Sequence, residues 1–324
     1  MCTAITFKTK DTYFGRNLDL EYTYNESVTI TPRNFPINFK HIGQLSNHLA
    51  IIGMAYVVDD YPLYYDAINE KGLGIAGLNF PNNAYYTNHV KNLDNIASFE
   101  FIPWVLSQCE NVTDAKKFIS KLTITTHSFS DNLTPTPLHW LIADKTECIV
   151  VEQTKSGLKI YKNLIGILTN NPPFNYQIFS LNNYINISNS EPKNMFSKNF
   201  KLKEYSRGMG AIGLPGDLSS SSRFVRATFT KLNSVCDNDE LSSVGQFFHI
   251  LSSVEQQRGC VELENKKHVI TTYSSCCNLN RGIYYYTTYE NRQINAIDMH
   301  KENLNNSRLI LYPIINKQNI NYIN

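Results

Sequence analysis

Strand-forming runs open and close this chain, and its helical patterns lie between them. Short alternating or β-branched stretches occupy residues 3–7, 13–20, 27–31, 49–58, 64–69 and 73–78. Turn residues at Lys10-Asp11 and at Glu70-Lys71-Gly72 join neighbouring runs as hairpins. Residues 98–122 take a helical period, with Pro103 early in one helix and Asn111-Val112-Thr113-Asp114 separating it from the next. Strand patterns return at 138–143, 148–153, 158–161 and 165–168. Helices are expected at 221–233 and 241–252, and a closing β series at 269–274, 282–289, 293–298 and 309–312, the last docking as an edge strand. Segregated strands and helices argue against an alternating βαβ sheet and predict an α+β layered fold. Residues 182–199 read as a polar surface excursion. No repeat and no Gly/Ser- or Pro-rich linker divides the sequence, so a single domain over residues 1–324 is expected.

Composition removes several function classes. With 42% hydrophobic residues the chain can bury a substantial core. Thirty basic and twenty-eight acidic side chains leave a net charge of +2 without a concentrated Lys/Arg stripe, which argues against nucleic acid as a partner. Neither a basic n-region followed by an apolar segment nor an apolar run of membrane-spanning length is present, so no membrane association and a cytoplasmic location are expected. The seven cysteines, Cys2, Cys109, Cys148, Cys236, Cys260, Cys276 and Cys277, are odd in number and lack metal-ligand spacing. Neither a disulfide framework nor a zinc site is expected, and Cys276-Cys277 is read as strand packing.

The chemistry concentrates at the start. Loss of Met1 from Met1-Cys2-Thr3 leaves a thiol and an α-amine on one residue, with unperturbed pKa values of about 8.5 and about 7.7–8.0. Such a residue carries its own general base. A hairpin of 3–7 with 13–20 brings Phe14-Gly15-Arg16-Asn17-Leu18-Asp19 alongside, where Arg16 would favour thiolate and Asp19 would hold the amine. Asn79 in Gly77-Leu78-Asn79-Phe80-Pro81, Asn170 in Leu168-Thr169-Asn170-Asn171-Pro172, and Arg223 after Leu214-Pro215-Gly216-Asp217 all sit where strands end or a helix begins. Amides at such termini can converge on a developing oxyanion. Taken singly, each Asn also fits turn chemistry and Arg223 fits a helix-surface charge.

In combination and order, Met1-Cys2-Thr3, Phe14–Asp19, Asn69-Glu70-Lys71-Gly72-Leu73-Gly74 with Gly77–Pro81, Leu168-Thr169-Asn170, and Gly213–Asp217 with Ser222-Arg223-Phe224 resemble the choloylglycine hydrolases. These are the bile salt hydrolases and penicillin V acylases within the N-terminal nucleophile hydrolases. The resemblance spans nearly the whole chain. It implies a four-layer αββα sandwich, a homotetramer, no propeptide beyond Met1, and no metal or organic cofactor.

Hydrolysis of glycine- or taurine-conjugated bile salts through a thioester is the implied activity. Cys2 would be nucleophile and its amine the base; Arg16 and Asp19 would tune and hold it, Asn79 would supply the oxyanion hole, Asn170 would position the amine and Arg223 would support the cluster. The matching segments propose Leu18, Val58, Tyr65, Phe129, Leu133 and Leu138 as the sterol lining. Where penicillin V acylases commonly carry Tyr the chain has Asn79, which points to bile salts over penicillin V or N-acyl lactones. A non-catalytic bile acid binder and a Cys/His hydrolase built on Cys109 or Cys148 are the competing readings, and His139 is read as structural.

Overall fold

The computed structural model describes residues 1–324. In chain order the strands are β1 (Cys2–Lys8), β2 (Thr12–Leu20), β3 (Ser27–Thr31), β4 (Ile37–Phe39), β5 (Gly43–Leu45), β6 (Ile51–Val58), β7 (Tyr61–Asn69), β8 (Gly74–Asn79), β9 (Asp94–Ala97) and β10 (Leu122–Thr125). They continue as β11 (Leu138–Ala143), β12 (Cys148–Thr154), β13 (Gly157–Lys162), β14 (Ile167–Leu168), β15 (Ile270–Asn278), β16 (Ile283–Thr288), β17 (Asn295–Asp298) and β18 (Ile310–Pro313). The α-helices are α1 (Phe101–Leu106), α2 (Val112–Ile119), α3 (Phe174–Ser180), α4 (Ser220–Asn233) and α5 (Glu240–Ser252).

Two antiparallel sheets stack face to face. One has six strands in the order β14-β1-β2-β15-β16-β17, and the other eight in the order β13-β12-β11-β8-β7-β6-β3-β18. Period-2 alternation assigns each side chain its layer. Along β11, Leu141 and Ala143 face the core between the sheets, whereas Trp140 and Ile142 point outward to a second cluster with Phe101, Trp104 and Val105 of α1 and with Val112, Ala115 and Ile119 of α2. Helices α4 and α5 cover the other outer face, packing Phe224, Ala227, Phe247, Ile250 and Leu251 against β1, β2 and β15. The result is the αββα sandwich.

Helix starts follow side-chain capping. Asn111 caps α2 by accepting from the Asp114 amide at 2.9 Å, and Ser219 and Asp239 cap α4 and α5. Differences from the sequence reading are local. Leu122 begins β10 rather than ending a helix, because a four-residue strand is too short to break a helical period. Helix α3 follows Pro172-Pro173 with no side-chain cap, so it carried no start signal. The C-terminal strand docks at a sheet edge, against β3, as expected.

One glycine beside Arg16 lets two neighbouring strands of the six-stranded sheet approach closely. A Cβ built on Gly15 would lie 2.0 Å from the Ser275 backbone oxygen, in the centre of the β2–β15 ladder. Gly15→Ala is therefore expected to destabilise the fold by more than about 3 kcal/mol, beyond ordinary overpacking, as read by urea denaturation.

Candidate active site

Strand pairing alone gathers the N-terminal cluster. The β1–β2 register sets Cys2 opposite Leu18, Thr3 opposite Asn17 and Ala4 opposite Arg16. On the other side of β1, Ala4 pairs with Leu168 of β14, so the next residues, Thr169 and Asn170, run past the beginning of β1. Cys2, Arg16, Asp19 and Asn170 are thereby brought together, helix α4 adds Arg223, and all five are buried.

Asn170 is the hub. Its Oδ1 accepts from the Cys2 backbone nitrogen at 2.8 Å and from Arg223 Nη2 at 2.7 Å, while its Nδ2 donates to the Asn79 carbonyl at 2.7 Å. These partners fix which way the amide faces. Ser220, in the first turn of α4, accepts the Asn170 amide N–H at 2.8 Å and donates to Thr169 Oγ1 at 3.0 Å. One turn later, Arg223 donates from Nη1 to the Cys2 carbonyl at 2.5 Å and to Thr3 Oγ1 at 2.6 Å, with Asp19 Oδ2 at 3.9 Å. The start of α4 thus clamps the start of β1.

Asp19 borders the terminus on the opposite side. Its Oδ1 accepts from Thr271 Oγ1 at 2.6 Å, its amide donates to the Met1 carbonyl at 2.9 Å, and its carbonyl accepts from the Met1 terminal nitrogen at 2.6 Å. Arg16 donates from Nη1 to the Tyr65 carbonyl at 3.0 Å and the Gly77 carbonyl at 2.5 Å. Two buried polar atoms here, Asp19 Oδ2 and Arg16 Nη2, have no hydrogen-bond partner.

The cluster carries buried charge. An exposed ion pair contributes about 0–1 kcal/mol, whereas burying charges costs several kcal/mol each before any pairing is counted. Here two guanidinium groups and a carboxylate are fully buried. Burial acts to lower the pKa of Arg16, but negative charge on Cys2, Tyr273, Asp66 and Asp19 outweighs it and holds the guanidinium firmly cationic. Burial lowers Arg223, with Asp19 and Cys2 opposing, and raises the Asp19 carboxyl against the pull of Arg223 and the terminal ammonium. A thiolate at Cys2 therefore has a permanent cation beside it.

The competing cysteines lack that environment. Burial pushes the thiols of Cys109 and Cys148 up to about 12, so both are protonated and inert near neutral pH. Cys276 and Cys277 are buried in β15 and raised well above the usual thiol range by burial.

An apolar cavity opens beside Arg16. Tyr65 and Gly77, the residues whose carbonyls Arg16 holds, line it together with Phe129, Leu133 and Leu138, and Tyr24, Tyr56, Leu63, Tyr64 and Phe99 complete the apolar wall. Four of the six expected lining residues are thus present. Leu18 instead packs, buried, in the inter-sheet core opposite Cys2, and Val58 ends β6 opposite Tyr61 without reaching the cavity. Asn79 stands at the end of β8 with its side chain exposed, and its register partner is Leu138.

His139 is buried under Phe80, with ring centroids 4.2 Å apart, its Nε2 2.8 Å from the Thr169 carbonyl and its Nδ1 3.1 Å from Glu152. It braces the Asn170 segment from behind. Sequence reasoning missed Thr271, Ser220 and Thr3 as partners of the cluster, because single Ser and Thr residues carry no signal until the sheets close.

Comparison with known proteins agrees with this geometry. Residues 2–312 match the model of the linear amide C–N hydrolases, choloylglycine hydrolase family. The chain is 56% identical to a bile salt hydrolase/transferase of Lactiplantibacillus plantarum, covering 97% of both chains, and 40% identical to one of Clostridium perfringens, covering 100% of both. A crystal structure of a mutant conjugated bile acid hydrolase from Clostridium perfringens superposes with a TM-score of 0.93 at 39% identity, covering 100% of both chains. Penicillin V acylase from Agrobacterium tumefaciens shares the fold, with a TM-score of 0.73 at 19% identity over 94% of this chain and 88% of that one. With the N-terminal cysteine cluster, the αββα sandwich and these matches in agreement, the chain belongs to the choloylglycine hydrolase family.

Proposed function

We propose that this protein hydrolyses the amide bond of glycine- or taurine-conjugated bile salts, using Cys2 as nucleophile once Met1 is removed. The observation that carries the reading is the Cys2 nitrogen held on Asn170 Oδ1 at 2.8 Å, with Arg16 linking that cluster to an apolar cavity. A sterol has few polar groups and suits such a wall.

In the first half-reaction the Cys2 thiol passes its proton to its own α-amine, and Sγ attacks the amide carbonyl carbon. Arg16 favours the thiolate, while Asp19 and Asn170 aim the amine. The tetrahedral oxyanion is met by the Asn79 side chain and backbone N–H groups. As the C–N bond breaks, the α-amine returns its proton to the departing nitrogen and glycine or taurine leaves. Water, deprotonated by the same amine, then attacks the thioester, releasing the bile acid and restoring the thiol. The L. plantarum and C. perfringens relatives are named hydrolase/transferases, and the same thioester can be opened by an amine instead of water, which supports acyl transfer as a second outcome here.

Asn79→Ala is expected to lower kcat by about 10²-fold with little change in KM, the signature of a transition-state donor. The substrate class is tested by offering the processed protein equimolar glycocholate, taurocholate and penicillin V and quantifying the acids and amines released. Cholate is expected to dominate; phenoxyacetate in excess would move the chain to penicillin acylation, and binding without product would make it a bile acid binder.

The same reading makes residues 1–324 one functional domain acting as a cytoplasmic homotetramer. Seven unpaired cysteines fit a reducing compartment, and no helix is long and apolar enough to cross a membrane. Phe179 at the end of α3, and Ile185, Met195, Phe196, Phe200 and Tyr205 on the segment that follows it, expose large apolar surface, as an association surface would. Light scattering that gave a monomer mass at micromolar concentration would rule out the tetramer.

A further inference from the structure

A second fully buried carboxylate, Asp66 of β7, stands beside the Cys2 cluster and has no part in the chemistry above. It reaches across the space between the sheets. Its Oδ1 accepts from the Tyr273 hydroxyl at 2.5 Å, and its Oδ2 accepts from Ser275 Oγ and from the Tyr284 hydroxyl, each at 2.9 Å. Tyr273 and Ser275 belong to β15 and Tyr284 to β16, all in the six-stranded sheet. Arg16 crosses in the opposite direction, from β2 to the carbonyls of Tyr65 in β7 and Gly77 in β8. Ser275 ties the two crossings together, because its Oγ also accepts the Arg16 backbone N–H at 3.1 Å. The Ser275 proton is thus the one shared with Asp66, which marks the carboxylate as the acceptor.

Charge counting gives this carboxylate a purpose. Arg16 and Arg223 with Asp19 alone would leave one positive charge in excess, in a buried setting where an unmatched charge is strongly unfavourable. Asp66 brings the count to two cations and two anions. It does so without occupying the guanidinium of Arg16, since its oxygens are taken by hydroxyls and Arg16 Nη2 keeps no hydrogen-bond partner. A bidentate ion pair would have used those donors. The titratable groups that face Asp66 are Arg16 of β2, Tyr273 and Cys277 of β15 and Tyr284 of β16, and Cys2 and Asp19 act on the same guanidinium. Burial, and then Asp66 itself, raise both phenols and the Cys277 thiol well above their ordinary ranges, so these three hold their protons near neutral pH. Burial raises the Asp66 carboxyl, with Arg16 and then the three hydroxyls opposing it.

We propose that Asp66 is the buried counter-charge of Arg16, a positioning residue that moderates how strongly the guanidinium favours the Cys2 thiolate while leaving Nη2 free; this rests on the reading of Cys2 as nucleophile. The sign of its effect follows from electrostatics. A nearby anion raises the pKa of every group that titrates around it, thiol and α-ammonium alike, so removing the Asp66 charge lowers both.

Asp66→Asn keeps the shape of the side chain and removes its charge. Processed wild type and variant would be alkylated with iodoacetamide from about pH 5 to about pH 10, and modification of Cys2 followed by peptide mapping. The midpoint for Cys2 is expected about one pH unit lower in Asp66→Asn. The acid limb of kcat/KM for glycocholate should move the same way, with KM within about 2-fold of wild type because Asp66 is not on the cavity wall. An unmoved or raised Cys2 midpoint in the folded variant would overturn the proposal. Alkylation needs no bile salt, so a lowered midpoint in a protein without bile salt turnover upholds the role of Asp66 and removes only the substrate reading. Stability supplies a second measurement, which also serves if Asp66→Asn alone does not fold. The double variant Asp66→Asn/Arg16→Gln removes both charges and is expected to melt above Asp66→Asn, whereas a double variant that melts lower, or that also fails to fold, would show that the two residues are not a charge pair.

Discussion

Cys2→Ser is expected to keep the fold and to lose at least about 10³-fold in kcat on conjugated bile salts, or about 4 kcal/mol of transition-state stabilisation. The hydroxyl is nearly isosteric and occupies a buried strand position between Leu18 and Asn170, so the β1–β2 and β1–β14 ladders are preserved. What changes is acidity. A hydroxyl ionises far less readily than a thiol, too far above neutral pH for one neighbouring guanidinium to make up the difference. Thermal unfolding within about 2 °C of wild type, with kcat reduced as stated, is the expected pair of results. Near-normal turnover would remove Cys2 from the mechanism.

Retention of Met1 is expected to be equally damaging, for a different reason. With Met1 attached, the Cys2 nitrogen is an amide and accepts no proton, and Met1 occupies both hydrogen bonds with the Asp19 backbone. Asp19 Oδ2 has no partner in that state. Removing Met1 turns the nitrogen on Asn170 into an amine and frees a position beside that carboxylate. A form carrying a protease-cleavable extension ahead of Cys2 should be at least about 10³-fold less active than the processed form, and cleavage should restore activity without refolding. Full activity with the extension in place, verified by intact mass, would exclude the α-amine as the base.

Much of this site could be read from the chain because hairpin registers translate sequence distance into contact. A β1–β2 hairpin places Arg16 and Asp19 near Cys2 whatever the rest of the fold does, and an Asn after a strand end is a visible candidate. The sandwich layers followed from where strand and helix periods fall. Less legible were the contacts made only when layers close: Ser220 and Thr271 look like any hydroxyl residue in sequence, and the role of the Asn79 carbonyl depends on Asn170 reaching across from the other sheet. The cavity lining shows the same limit. Phe129 and Leu133, from a loop, line the apolar cavity, whereas Leu18 turns to the inter-sheet core because its strand alternates, and Val58 is not among the lining residues.

The central claim is an acyl-enzyme on Cys2, and acid-quench mass spectrometry addresses it directly. Processed protein would be mixed with glycocholate or taurocholate, stopped within the first turnovers, digested, and mapped for a cholyl thioester. The account predicts the same cholyl adduct from both substrates, confined to the N-terminal peptide that begins with Cys2 and removed by hydroxylamine. An adduct on Cys109 or Cys148, or steady turnover with no adduct at any quench time in wild type or in a variant slowed in deacylation, would contradict it.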